Sequence, residues 1–142
     1  MRIFSKKIAD KAGSKGQSLQ GEGKVLVVDD SPTELHILKG FLEDAGYKVL
    51  LAENGESGIE MARSSKPDLV LMDVVMPGLN GFQATRQLSR DPETEDIPVI
   101  MVTTKDQETD RTWGLRQGAK EYIIKPVEKN ELLSRIKDVL NA

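Results

Sequence analysis

Four short apolar runs in this 142-residue sequence each end on a residue that can do chemistry. Residues 25–28 run into Asp29-Asp30, 69–72 into Asp73, 99–102 into Thr103-Thr104, and 122–124 into Lys125-Pro126. There is no cysteine and a single histidine, His36. Thiolate chemistry, zinc-thiolate sites and histidine cages are therefore ruled out, a His-dependent triad has little scope, and chemistry falls to carboxylates, hydroxyls, lysine or backbone. Taken singly, each residue has a plain structural reading: an aspartate capping a helix, a threonine filling a strand, a lysine solvated at the surface. Their coincidence at four separate run ends is what argues for a site. Three converging carboxylates repel one another unless a proton or a cation relieves them. An oxygen-only set with room for water suits Mg²⁺ better than Ca²⁺, which wants a larger cage. Three acids, a metal, a hydroxyl and a lysine together suggest phosphoryl transfer. The metal and Lys125 would neutralise equatorial oxygens while a carboxylate attacks phosphorus in line.

Such residues converge only if the runs are neighbouring parallel strands, and the patterning between them supports this. Runs at 25–28, 48–51, 69–72, 99–102 and 122–124 have strand length, and several are apolar on both faces, as doubly covered parallel strands require. Ser31-Pro32-Thr33-Glu34 reads as a capping box with proline at the first helical position. Leu35, Leu38, Phe41, Leu42 and Ala45 follow at helical spacing, and Gly46 ends that helix. Asn54 opens a second helix, Asn80 a third, and Asp106 a fourth that ends at Gly118. A fifth begins near Glu128, with Leu132, Leu133, Ile136 and Val139 facing inward. Five βα repeats in succession predict an α/β doubly wound parallel sheet. Ligands of such sheets bind beyond the carboxyl ends of the strands, where strand order reverses. An order of 2-1-3-4-5 would bring Asp29, Asp30 and Asp73 together.

Residues 1–23 stand apart as a basic tail, with five Lys/Arg and two acids, and Gly13, Gly16, Gly21 and Gly23 give it the composition of a flexible linker. Residues 24–142 carry 15 bases and 21 acids, so the overall charge of −3 conceals a basic tail on an acidic domain. That balance argues against a nucleic-acid binder working by bulk charge. No apolar run approaches the roughly 18 residues of a membrane span, and no signal-peptide pattern is present. A cytoplasmic domain is expected.

The segments KVLVVDDSPTE (24–34), DLVLMDVVMPGLNGF (68–82), IPVIMVTT (97–104) and GAKEYIIKPV (118–127) resemble the receiver domain of bacterial response regulators. The resemblance spans 24–142 and implies the CheY-like, flavodoxin-like (βα)5 sheet with order 2-1-3-4-5. It implies Asp73 as phosphoacceptor, with Mg²⁺ held by Asp29, Asp30, Asp73 and the backbone carbonyl of Val75. Lys125 would pair with the phosphoryl oxygens, across a Lys125-Pro126 peptide expected to be cis. Thr103 would be the switch hydroxyl and Tyr122 the aromatic that turns inward behind it. The stretches LMDVVMPGLNGFQATRQL, VTTKDQETD and WGLRQGA are more narrowly similar to a single-domain regulator of type IV pilus twitching motility. The implied partners are a CheA-like sensor histidine kinase and a downstream protein, or the pilus machinery, meeting the helix 4–strand 5–helix 5 face. Neither nucleic acid nor membrane insertion is implied.

One alternative stays open, and two further classes fit less well. A phosphate sink draining a shared kinase needs the same residues. An aspartyl-phosphate phosphatase of the haloacid-dehalogenase type would place a second acid where Val75 stands, and would need a substrate-enclosing cap. A DNA-binding regulator would need a helix-turn-helix, and a separate output domain is not expected after the last helix. The domain is thus expected to catalyse only its own phosphoryl transfer and autodephosphorylation. Two positions depart from the commonest receiver pattern: Thr104, where a small residue is usual, and Val75, where some relatives carry an amide that orients the hydrolytic water. Together they imply a long-lived acyl phosphate. His36 reads as a surface residue of the first helix, Trp113 as either a packing residue or part of a partner face. Arg86, Arg90, Arg111, Arg116 and Arg135 read as scattered solvation charge.

Overall fold

Strands and helices alternate without interruption in a computed structural model that describes residues 21–142. The order is β1 (Lys24–Val28), α1 (Pro32–Asp44), β2 (Lys48–Ala52), α2 (Gly55–Ser65), β3 (Leu69–Met72), α3 (Gly81–Arg90), β4 (Val99–Thr103), α4 (Glu108–Arg116), β5 (Glu121–Ile124) and α5 (Lys129–Leu140). All but the last three residues of the basic tail lie outside the described residues. The five strands form one parallel sheet in the order β2-β1-β3-β4-β5, as expected.

Alternate residues of the strands feed opposite faces of the sheet, and both faces are covered. Val25, Val27, Leu69, Leu71, Ile100 and Val102 pack with Leu35, Leu38 and Leu42 of α1 and Leu132, Leu133 and Ile136 of α5. On the other face Leu26, Val28, Val70 and Met72 pack with Ile59 and Ala62 of α2 and Ala84 and Leu88 of α3. Met101 and Tyr122 continue that face toward α4 with Val74 and Ala119. Burying these side chains stabilises the fold by about 1.5–3 kcal/mol for each large aliphatic residue. The outcome is a rigid sheet whose strand ends hold their positions.

The helix starts follow their caps. Asn54 Oδ1 accepts from Ser57 N–H at 2.8 Å, and Asn80 and Gln83 form a reciprocal capping box. Glu128 caps α5 by accepting from Asn130 and Glu131 N–H. Two expectations need correction. The N-cap of α4 is Gln107 rather than Asp106, because the Asp110 carboxylate accepts the Gln107 N–H at 3.2 Å and starts the first turn one residue later. The capping box expected at Ser31–Glu34 is only half formed. Ser31 Oγ accepts from Glu34 N–H at 3.3 Å, but the Ser31 N–H donates to Asp29 Oδ1 at 2.9 Å, which leaves the Glu34 carboxylate for another partner.

Candidate functional site

Strand register brings the acids together. Val28 of β1 is paired with Met72 of β3, so Asp29 and Asp73 leave the sheet side by side. Asp73 N–H donates to Val28 O at 3.0 Å, and Asp29 N–H to Ala52 O at 3.1 Å. A slip of one residue would turn one of these side chains to the other face of the sheet. On the other side Thr103 pairs with Ile124, and Lys125 N–H donates to Thr103 O at 2.9 Å, which sets Lys125 beyond the end of β5. The Lys125-Pro126 peptide is cis, as expected from the sequence.

The Lys125 ammonium donates to Asp29 Oδ2 at 2.7 Å and lies 3.7 Å from Asp73 Oδ1. Their side chains are nearly closed to solvent, at 10% exposure for Lys125, 2% for Asp29 and 7% for Asp73. Asp73 Oδ1 also accepts from Val74 N–H at 2.9 Å. Burial, reinforced by the neighbouring Asp29 charge, pushes the Asp73 carboxyl above its ordinary value, against the pull of Lys125. Burial draws Lys125 down, but its hydrogen bond to Asp29 and the charges of Asp73, Asp29 and Glu34 outweigh this and leave it raised. The same cluster thus holds both groups above their ordinary values, Asp73 through burial and the Asp29 charge, and Lys125 through its hydrogen bond to Asp29 and the surrounding acids.

The residues of the expected metal set meet at the same strand ends. One carboxylate oxygen each from Asp29, Asp30 and Asp73 lies within 4.8 Å of the others, with Asp30 exposed to solvent. Two buried carboxylates and one solvent-facing carboxylate, all hard oxygen donors, fit a hydrated Mg²⁺. Val75 follows in the loop, with 55% of its surface exposed.

Gly81 lets that loop close. A Cβ at Gly81 would sit 2.0 Å from the Asp73 carbonyl oxygen, so α3 can begin directly against the acceptor strand only if this position has no side chain. Gly81 N–H then donates to Val74 O at 2.9 Å, and Gly78, with φ +74°, makes the preceding turn.

Thr103 is fully buried at the end of β4, and its Oγ1 accepts from Lys105 N–H at 3.3 Å. Tyr122 is buried, and its hydroxyl donates to Lys105 O at 2.9 Å, so the same loop residue is tied to both expected switch residues. The backbone carbonyl of Tyr122 accepts from Arg111 Nη1 at 3.2 Å. Arg111 is thus a positioned donor, and so is Arg135, which bonds Glu121 at 2.6 Å; scattered solvation does not describe either. Helix α4 rests on this region through Gly114, the one buried residue of the helix, whose Cβ would meet Met101 Sδ at 2.7 Å. Trp113 is 47% exposed, which excludes the packing reading, and Leu115 of α4 and Ile124 of β5 are exposed as well. His36 is on the surface of α1.

Sequence reasoning missed Glu34. Its carboxylate, freed from the cap, lies 3.8 Å from the Lys125 ammonium. The signal was available: an acid at the third position of a helix that starts beside Asp29 is one turn from the strand end. The capping-box pattern offered it a different partner.

Comparison with known proteins agrees with this geometry. The response regulator receiver domain family matches residues 25–137. Protein PilH of Pseudomonas aeruginosa is 62% identical over 117 residues, covering 82% of this chain and 97% of PilH. The phosphate regulon transcriptional regulatory protein PhoB of the same organism is 42% identical over 116 residues, and the match covers 82% of this chain and 51% of PhoB. Among solved structures, the chemotaxis protein CheY4 of Vibrio cholerae superposes with a TM-score of 0.79 at 29% identity, covering 84% of this chain and 99% of that one. The receiver domain of a sensor histidine kinase from Pseudomonas aeruginosa, with a magnesium ion coordinated in its active-site cleft, superposes at 0.79 with 27% identity, covering 86% of this chain and 100% of that one. With the family model matched over residues 25–137 and the sheet ordered β2-β1-β3-β4-β5, this chain belongs to the response regulator receiver domain family.

Proposed function

We propose that Asp73 accepts a phosphoryl group from the phosphohistidine of a sensor histidine kinase, and that the domain signals through protein contacts controlling type IV pilus twitching motility. The observation that carries the chemistry is the Lys125 ammonium held between Asp29 and Asp73. A carboxylate oxygen of Asp73 forms the new O–P bond as the N–P bond of phosphohistidine breaks, and the imidazole leaves and takes up a proton. Lys125, already charged and 3.7 Å from Asp73, moves its ammonium onto a phosphoryl oxygen as negative charge arrives there. Asp29, Asp30 and Asp73, with the Val75 carbonyl, would hold Mg²⁺, which when bound supplies charge neutralisation at the phosphoryl oxygens. Thr103 follows as the switch hydroxyl: drawn toward the phosphoryl group, it releases the Lys105 N–H and loosens the loop that also receives the Tyr122 hydroxyl.

Identity of 62% to PilH supports the motility assignment. Exposed Trp113, Leu115 and Ile124 support a partner face on α4 and β5. That face favours readout by contact over a pure phosphate sink. Among the described residues no helix is long and apolar enough to cross a membrane, which is compatible with action in the cytoplasm.

The test is incubation with Mg²⁺ and a small phosphodonor, followed by intact mass. A single adduct of about 80 Da, acid-stable, base-labile and absent from Asp73→Asn, is the expected result. An unmodified wild-type chain would falsify the assignment.

A further inference from the structure

The first turn of α1 presents a carboxylate to the site from outside the sheet. Glu34 Oε1 stands 3.8 Å from Lys125 Nζ, so the ammonium faces three acids: Asp29, Asp73 and Glu34. Capping makes no claim on this carboxylate, because Asp29 takes the Ser31 N–H and Glu34 enters the cap only through its own backbone N–H. The Glu34 side chain is 30% exposed, whereas those of Lys125, Asp29 and Asp73 are 10% or less. It is the solvent-side member of the group.

From this placement we infer that Glu34 is a positioning residue that sets phosphodonor preference, a role that rests on Asp73 being the phosphoacceptor. Two effects act with the same sign. Glu34 draws the Lys125 ammonium toward the rim, away from the phosphorus above Asp73. Its own negative charge also repels an incoming phosphoryl group beside that ammonium. Both penalise a free donor in proportion to its negative charge. The site therefore selects against small dianionic phosphodonors, and the penalty shrinks for a donor whose leaving group carries positive charge beside phosphorus.

Acetyl phosphate and phosphoramidate separate these cases. With acetyl phosphate, a dianion, the O–P bond to Asp73 forms while the bond from phosphorus to the acetyl oxygen breaks, and acetate leaves with the electron pair. With phosphoramidate, a zwitterion of net charge −1, the P–N bond breaks and nitrogen leaves with that pair as ammonia. The acyl phosphate product is the same.

The experiment uses the full chain at saturating Mg²⁺, with initial phosphorylation rates for both donors in wild type, Glu34→Gln, Glu34→Ala and Glu34→Asp. Glu34→Gln and Glu34→Ala are expected to raise kcat/KM for acetyl phosphate about fivefold and for phosphoramidate about twofold. Glu34→Asp, which keeps the charge, should retain the wild-type preference between donors. Beryllofluoride, a phosphoryl mimic followed by fluorine NMR, should bind more tightly to Glu34→Gln at saturating Mg²⁺. Equal changes in kcat/KM for both donors, or beryllofluoride binding no tighter to Glu34→Gln than to wild type, would each overturn the inference. Failure of the Asp73 assignment is seen separately, as an adduct that persists in Asp73→Asn.

Discussion

Lys125 and Asp29, 96 residues apart in the chain, meet in a 2.7 Å ion pair at the carboxyl end of the sheet. Both side chains are almost closed to solvent, so the pair is a buried one, and removing a single partner leaves an uncompensated charge. Lys125→Met is expected to destabilise the metal-free protein by about 3 kcal/mol in urea denaturation. Mg²⁺ should restore part of that loss, since a cation at the aspartates replaces the missing ammonium. Unchanged stability in Lys125→Met would show that solvent already screens Asp29.

Asp30 is the exposed member of the acidic set, and no part of the core rests on it. Asp30→Asn should lower Mg²⁺ affinity at least about tenfold by calorimetric titration, since one ligand charge is lost. Metal-free stability should stay level or rise slightly, because repulsion of Asp29 and Asp73 is relieved. A variant that binds Mg²⁺ like wild type would remove Asp30 from the metal set.

Gly81 is the tightest steric point beside the site, with a would-be Cβ 2.0 Å from the Asp73 carbonyl oxygen. Backbone cannot yield as a flexible side chain does. Gly81→Ala is therefore expected to cost about 2 kcal/mol or more and to weaken Mg²⁺ binding by displacing Asp73. Wild-type values for both quantities would mean that α3 can start elsewhere at no cost.

Val75 presents an exposed apolar side chain in the loop after Asp73. Nothing on it can orient a hydrolytic water, so an acyl phosphate at Asp73 is expected to be long-lived, with Thr104 narrowing access further. Val75→Asn should accelerate dephosphorylation about tenfold by supplying a donor and an acceptor for that water. Equal decay rates in a mass-resolved time course would count against Val75 as the determinant.

Two buried tyrosines predict an alkaline limit. Burial pushes Tyr47 up to about 12, and burial together with Asp110, Asp106 and Asp73 does the same for Tyr122. The unfolded chain releases these protons near pH 10. Between there and 12 the native state holds protons that the unfolded chain has lost, so stability falls as pH rises through that window and is fully present below it. Each tyrosine contributes up to about 3 kcal/mol to the fall. Denaturation midpoints measured upward from about pH 9 should show this loss, and Tyr47→Phe should remove one share of it. A flat profile in wild type would contradict both shifts.

Much of the fold was legible because its signals are local. Strand length, apolar runs on both faces, and caps such as Asn54 and Asn80 depend on neighbours within a few residues, and all appear as expected. Errors arose where two local partners compete for one group. Asp106 and Gln107 both precede the first turn of α4, and the hydrogen bond from Gln107 N–H to Asp110 sets the cap at Gln107. Trp113 suits a core or a surface equally by composition, and its 47% exposure follows from α4 resting on the sheet through Gly114.

By itself the sequence determined which chemistry is possible: carboxylates, a threonine and a lysine at strand ends, no thiol, and one histidine on an outer helix face. It also determined that the strands are parallel and doubly covered, because periodicity and apolar content are properties of each segment alone. Only the tertiary structure decided how the charges pair. Register sets Asp29 beside Asp73, β5 delivers Lys125 between them, and the diverted cap of α1 turns Glu34 toward the same ammonium. Such pairings depend on distances between residues far apart in the chain, and electrostatic energy varies with those distances rather than with sequence order.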